Sequence, residues 1–522
     1  MISRGVTYRF LLVLLCFSVV GFAMKPLTVC AGGVTLITHG FNGNVTDWVI
    51  PMANKIPQHP SFQGSNASVY QITITRSGSV YTVAPSFLDG VPPLTSDSGE
   101  IILALDWSTL SGFGPSTSTL AAQLAPYLFA TNFIADLNGH ALAELPLHFA
   151  GHSRGASLVA ELARILGAQG IWVDQVTTLD PYPLSVTSDP AMKNYANVFF
   201  SDNYWQTTDI PSGQSLPGAY NRFLSNLSGG YPSGSAHSDV HLWYHGTIDL
   251  ATPAMDNSAI ITAAERTNWW TALEARGTNT GFRWSLIAGG DRLSTLEPNG
   301  SGNGRVNDGF NRFWDLGAGV TGNRSALPAN NGTWPNVIRC NLAATNPVSP
   351  GQSFSVGFYS QFGSNTLVNS TVKFYADRDL NPYDGNETFL VQTNLSGTGT
   401  NAVTSRTVSV VLNSGLLSPG SYWVFAREDG GGHTRYLYAP EKLIVQATSV
   451  QPPVLLAQGI FTNSFRLTVN AGAGQTIVVQ ASTNLQAWQS IQTNLMTNSS
   501  LTVDDPIIPG RTLRYYRALQ LP

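Results

Sequence analysis

The chain has 522 residues, of which 43% are hydrophobic and 10% aromatic, enough for about three domains with sizeable cores; this excludes a disordered protein. Only 11% of residues are charged and the net charge is −4, so there is no basic field for nucleic acid. Surface polarity rests on Ser, Thr, Asn and Gly.

Residues 1–31 carry Arg4 and Arg9 ahead of an apolar run over 10–23, too short for a membrane span and right for a secretory signal cleaved near 23 or 31. The expectation is a secreted, extracellular chain whose mature form has no transmembrane segment. Cys16 falls inside the signal, which leaves Cys30 and Cys340 as candidates for one disulfide.

Residues 33–38 (GVTLIT) read as a strand that ends in His39-Gly40-Phe41, where the glycine would let the Phe41 amide face a site at the strand end. Residues 70–75 and 101–105 are further strands, the second ending in Asp106-Trp107. Residues 117–137 read as a helix disturbed near Pro126. The central stretch is 147–157, LHFAGHSRGAS: a buried strand, a serine between glycines, then a helix over 156–166 with apolar residues three and four apart. In G-x-S-x-G the strand turns so sharply into the helix that the serine is strained, and Gly151 and Gly155 have no side chain to collide. Ser153 is the candidate nucleophile. The Arg154 amide, at the positive end of the helix dipole, is a candidate oxyanion donor, with that of Phe41 as the second.

Residues 171–179 form another apolar strand, ending at Asp180-Pro181 on the rim where open α/β sheets place their sites. Asp180 is the first candidate acid; Asp202, one strand later, is the second and Asp106 the third. Residues 203–235 mix apolar side chains with Gly, Pro and Ser, and read either as a cover over the site or as a long loop packed on the body. In 236–245 (AHSDVHLWYH), His237, His241 and His245 are spaced by four and share one helical face. His237 is the first candidate general base and His241 the second. With Asp239 the three histidines also offer a zinc site as an alternative. His152 reads as packing beside the nucleophile.

Between residues 34 and 245, the HGF of His39 to Phe41, Asp106-Trp107, GHSRGA at Gly151 to Ala156, LDP at Leu179 to Pro181 and a histidine followed by Trp243-Tyr244 stand in one order. In this the chain resembles the pancreatic and lipoprotein lipase family. The resemblance implies an α/β-hydrolase fold, a mostly parallel sheet flanked by helices, with Ser153 as nucleophile, Asp180 as acid, His237 as base and the Phe41 and Arg154 amides as oxyanion hole. Arg154 stands where the family usually has leucine, which would set a cation beside the nucleophile to meet a polar or anionic part of a substrate.

Residues 260–275 read as a helix, 289–320 as turn-rich and 321–334 as a linker. From residue 337 short alternating strands take over, as at 353–359, 372–376 and 422–427, and a second linker spans 448–453. The expected domains are therefore the hydrolase over 32–335 and two small all-β sandwich domains, 336–448 resembling an immunoglobulin-like module and 449–522 a fibronectin III-like one. Asp377, Asp379, Asn381 and Asp384 give oxygen ligands at nearly alternate positions, as calcium loops and plain hairpin turns both do.

The functional expectation is a carboxyl-ester hydrolase (lipase or esterase) acting through an acyl-enzyme. It requires no cofactor, with calcium the one candidate ion. The expected partner is a lipid or other ester substrate, met at a lipid interface or polymer surface, with no nucleic acid and a monomeric chain. The alternatives are polyester or amide cleavage by the same residues, and an adhesion or glycan-binding protein carrying an inactive hydrolase scaffold.

Overall fold

The β-branched run after Gly33 forms β1 (Val34–Thr38), buried along its whole length. The computed structural model describes residues 32–225, 227, 229–231, 236–249, 262–270, 280–287, 324–327, 332–362, 367–398, 404–446, 452–472, 474–510 and 513–521. The expected signal segment, Cys30 and hence the Cys30–Cys340 pairing, the stretch 289–320 and parts of both linkers lie outside the described residues.

In chain order β1 is followed by α1 (Val49–Ala53), β2 (Ser68–Ser77), β3 (Val80–Gly90), β4 (Ile101–Asp106), α2 (Thr117–Phe129), β5 (Leu147–His152), α3 (Arg154–Ala168), β6 (Val173–Leu179), β7 (Val198–Trp205), β8 (Tyr220–Phe223), α4 (Ala236–Ile248) and α5 (Ala263–Trp269). The eight strands form one mixed sheet in the order β3-β2-β4-β1-β5-β6-β7-β8. Every neighbouring pair is parallel except β2 with β3, an antiparallel edge.

Alternation along the strands divides the core between the two faces of this sheet. Ile101, Leu103 and Leu105 of β4 pack with Leu120 and Leu124 of α2 and Leu158 and Leu162 of α3. Ile102 and Ala104 point the other way, into the cluster of Val49 and Met52 of α1 and Val240 and Trp243 of α4. Helix α2 stops at Phe129 rather than running to 137, because Ala130 turns to an extended backbone. Of residues 203–235, positions 226, 228 and 232–235 lie outside the described residues, and the others pack in part on the body of the sheet. They supply the last strand, β8, and bury Leu216 and Ala219 against Ala156, Ala160 and Met192.

Residues 335–445 form two antiparallel sheets. Strands β9 (Pro335–Ala343), β10 (Ser353–Phe362) and β13 (Thr404–Val411) make one, and β11 (Val368–Asp377), β12 (Thr388–Thr398), β14 (Gly420–Gly430) and β15 (His433–Val445) the other. Val356, Phe358, Phe374 and Val424 fill the space they share. This region does not stand apart from the first sheet: Trp423, Phe425, Tyr436 and Tyr438 join the core beneath α2 and α3, and the buried Arg435 pairs with the buried Asp174. One compact unit accordingly ends at Val445 and a second runs from Gln446 to Pro522. The second comprises β16 (Val454–Phe461), β17 (Ser464–Asn470), β18 (Thr476–Ser482), β19 (Gln489–Leu495), β20 (Ser500–Pro506) and β21 (Tyr515–Gln520), as two three-stranded antiparallel sheets around Leu467, Val469, Ile477 and Val479. The C-terminal third is thus β-rich throughout its described residues. No helix among the described residues is long and apolar enough to cross a membrane.

Candidate active site

The parallel register brings the strand ends that matter to one rim. Thr38 of β1 is level with Gly151 of β5, His152 with Leu179 of β6, and Leu179 with Tyr204 of β7. The ladder then continues one residue past each strand, with Ser153 N donating to Leu179 O at 2.8 Å and Asp180 N to Tyr204 O at 2.7 Å. Residues 39–41, 153, 180 and 206 consequently emerge side by side.

Ser153 joins β5 directly to α3 with φ 55° and ψ −121°, a left-handed conformation that costs a residue with a side chain on the order of 1–3 kcal/mol. The surrounding glycines make this turn feasible. A Cβ on Gly151 would lie 2.4 Å from Gly155 O, and one on Gly155 would lie 2.2 Å from His39 O. A Cβ on Gly40 would meet Ser153 Cβ at 2.6 Å. The Arg154 amide opens α3 and the Phe41 amide follows Gly40; among the described residues neither donates a hydrogen bond.

Asp180, fully buried and itself at φ 44°, bonds through Oδ2 to His237 Nδ1 at 2.6 Å. His237 lies in the first turn of α4, and its carbonyl accepts from His152 Nε2 at 2.8 Å. His152 therefore carries its proton on Nε2. Burial, reinforced by the neighbouring His237, pushes its pKa well below the usual imidazole range, so it stays neutral as a buttress. His241 stacks on Trp48 with ring centroids 4.1 Å apart, and burial together with the adjacent imidazoles pushes its pKa well down too.

Ser153 and His237 line one cleft of about 450 Å³, together with Gly40, Phe41, Trp48, His152, Tyr182, Leu184, Pro211, Tyr231 and His241. Three exposed apolar side chains neighbour lining residues in contact or along the chain. Phe113, 78% exposed, packs edge-on against Phe41; Val186, 71% exposed, follows Leu184; and Ile210, 94% exposed, precedes Pro211.

No protein-family model matches the chain, and no curated protein does. Among solved structures, superoxide reductase (neelaredoxin) from Ignicoccus hospitalis is similar at 16% identity over 21% of this chain and 80% of that one, with a TM-score of 0.14. The C-terminal domain of Wzt is similar at 13% identity over 23% and 78%, with a TM-score of 0.16. Scores this low carry no argument about fold or activity. The resemblance to the pancreatic and lipoprotein lipase family is corrected by the first of these findings, as are the immunoglobulin-like and fibronectin III-like resemblances: no such family model matches, and no curated member does. The physical reason is that HGF, GHSRGA and LDP are short strings. Close backbone approach and a left-handed serine require such residues locally, whatever the ancestry of the chain.

Several candidate residues have other places. Asp202, the second acid, is buried within β7, where Thr177 Oγ1 (2.7 Å) and Gln175 Nε2 (3.1 Å) donate to its Oδ1 and burial pushes its carboxyl up to about 7. Asp106 accepts from Gln71 Nε2 at 2.9 Å and Ser108 N at 3.0 Å. Among the described residues no three His, Cys, Asp or Glu side chains are grouped as a metal would need; of the residues named for zinc, His237 Nδ1 is taken by Asp180 and Asp239 accepts from Tyr231 N.

The Arg154 side chain is not among those that line the cleft. It is fully buried, forked onto Asp189 (Nε to Oδ2 2.7 Å) and donating to the carbonyls of Ser111, Gly112 and Pro115. In the 377–384 loop, Tyr438 OH donates to Asp377 Oδ2 and Asn386 Nδ2 to Asp379 Oδ2, while Asn381 Nδ2 is used on the carbonyls of Pro93 and Ser96. Among the described residues Cys340 is buried and makes no disulfide.

Gly213 and Gln206 went unread in the sequence, and no local pattern marks either of them.

Proposed function

We propose that the chain is a serine carboxyl-ester hydrolase, exported from the cell, with Ser153 as nucleophile, His237 as general base, Asp180 as the acid that orients it and the amides of Phe41 and Arg154 as oxyanion donors. One observation carries this reading: a left-handed serine at a strand-to-helix turn shares a cleft with a histidine whose far nitrogen is held by a buried carboxylate. The parallel strand order with β1 at its middle, and the order serine, acid, histidine along the chain, support an α/β-hydrolase type of arrangement.

Asp180 fixes the proton on His237 Nδ1, leaving Nε2 to accept the proton of Ser153 Oγ as the oxygen attacks the ester carbonyl. The resulting oxyanion takes up the two amide donors. His237 Nε2–H then protonates the departing alcohol, and a water molecule, deprotonated by the same nitrogen, cleaves the acyl-serine. These steps require no cofactor. The apolar residues that line the cleft, Phe41, Trp48, Leu184 and Pro211 among them, favour esters with an apolar acyl or alcohol part, lipid esters included.

The test is hydrolysis of p-nitrophenyl esters of graded chain length. Ser153→Ala should remain folded and lose turnover by on the order of 10⁴-fold or more. An unaltered rate in that variant rejects the reading. If the folded wild-type chain is also not labelled at Ser153 by a fluorophosphonate, a binding protein with an inactive scaffold takes its place.

A further inference from the structure

Complete burial of the Asp180 carboxylate demands donors beyond His237, and one residue supplies two of them. The Gln206 amide nitrogen donates to Oδ1 at 2.9 Å and its side-chain Nε2 to Oδ2 at 2.7 Å, so Gln206 grips both oxygens; Gly213 N completes the set on Oδ1 at 2.9 Å. Gln206 is itself fully buried and cannot swing away. Its Oε1 accepts from Asp209 N at 2.8 Å, and Nε2 also reaches Pro211 O at 3.1 Å, on a residue that lines the cleft. A Cβ on Gly213 would stand 2.4 Å from Asp180 Oδ1, so the 213 backbone approaches the carboxylate this closely only as glycine.

We propose that Gln206 is a positioning residue: it sets the plane of the Asp180 carboxylate so that the Oδ2 it shares with His237 faces Nδ1, and it ties that orientation to the cleft wall at Pro211. The proposal rests on the hydrolase reading above. A Gln side chain is suited to this place because one end donates to the carboxylate while the other accepts from the backbone of the same loop. Hydrocarbon there would leave Oδ2 with one donor fewer in a fully buried site.

Two variants, Gln206→Leu and Gln206→Glu, are assayed beside wild type for kcat and KM on a p-nitrophenyl ester from pH 6 to 9, with folding followed by circular dichroism. Gln206→Leu should lower kcat by on the order of 10²-fold with KM within about threefold, the effect of a misplaced imidazole. In Gln206→Glu the introduced carboxyl replaces the amide donor only while it holds a proton; the adjacent Asp180 carboxylate raises its pKa, and once ionised it repels Asp180 instead of donating to it. Its kcat/KM relative to wild type should therefore fall by on the order of 10-fold or more as pH rises. A structural role alone gives a ratio independent of pH. Such a flat ratio, or a Gln206→Leu variant with wild-type kcat, overturns the inference while leaving the hydrolase intact. A folded wild-type chain that neither hydrolyses the ester nor takes up fluorophosphonate overturns the hydrolase reading and this inference with it.

Discussion

Gly40→Ala tests the geometry of the nucleophile without touching a reacting group. Gly40 has no positive φ, so alanine meets no backbone penalty there and its whole effect comes from one methyl group. That methyl would stand 2.6 Å from Ser153 Cβ and 2.9 Å from His152 O, where ordinary contact begins at 3.4 Å; Ser153 or residues 39–41 must move by about 0.8 Å. Both choices damage the site, since one displaces Oγ from His237 and the other displaces the Phe41 amide from the oxyanion. A misplacement of this size costs on the order of 10²-fold in turnover, about 2.7 kcal/mol of transition-state stabilisation. Overpacking adds about 1–3 kcal/mol of instability. Steady-state kinetics on a p-nitrophenyl ester and a thermal melt separate the two effects. A folded Gly40→Ala protein with kcat within about threefold of wild type would refute the reasoning.

The two carboxylates that competed for the role of acid are separated by asparagine substitutions. Asp180→Asn should lower kcat by on the order of 10⁴-fold, because the amide favours the wrong tautomer of His237. Asp202→Asn should leave kcat within about threefold; a comparable loss in both variants would return Asp202 to contention. Asp202→Asn also carries a stability signature. The folded pKa is raised to about 7 from an unfolded value near 3.8, so the wild-type group favours folding at low pH and that contribution is lost as pH rises from about 4 to 7. Above pH 7 the variant should be more stable by roughly 2–4 kcal/mol in urea unfolding, and a wild-type slope against pH in the variant would sink the idea. Arg154→Leu leaves the Asp189 carboxylate buried without its cation and should cost about 3–5 kcal/mol in the same assay. Anionic and neutral esters should lose turnover in equal proportion; a selective loss for anionic esters would place the guanidinium at the substrate.

The sequence was informative wherever an element is specified by its own residues. The runs at 33–38, 101–105 and 171–179 became β1, β4 and β6, and the glycines around Ser153 announced the turn because only they fit it. Ala236 to His245 opened α4, with His237 in its first turn. Reading short strings as ancestry failed, because turn chemistry repeats across unrelated chains.

By itself, then, the sequence determined the strained serine, the apolar strands and the set of carboxylates and histidines from which a site is drawn. Choosing among them was left to the tertiary structure. Asp180, Asp202 and Asp106 all stand on or just past parallel strands, and only packing decides that Asp180 meets His237 while Asp202 is enclosed by Thr177 and Gln175. The side chain of Arg154 turns away from the cleft because Asp189 and four carbonyls claim it, and Gln206 meets Asp180 from another strand end. Contacts between groups far apart in the chain depend on strand register and loop path, and neither is written in local periodicity.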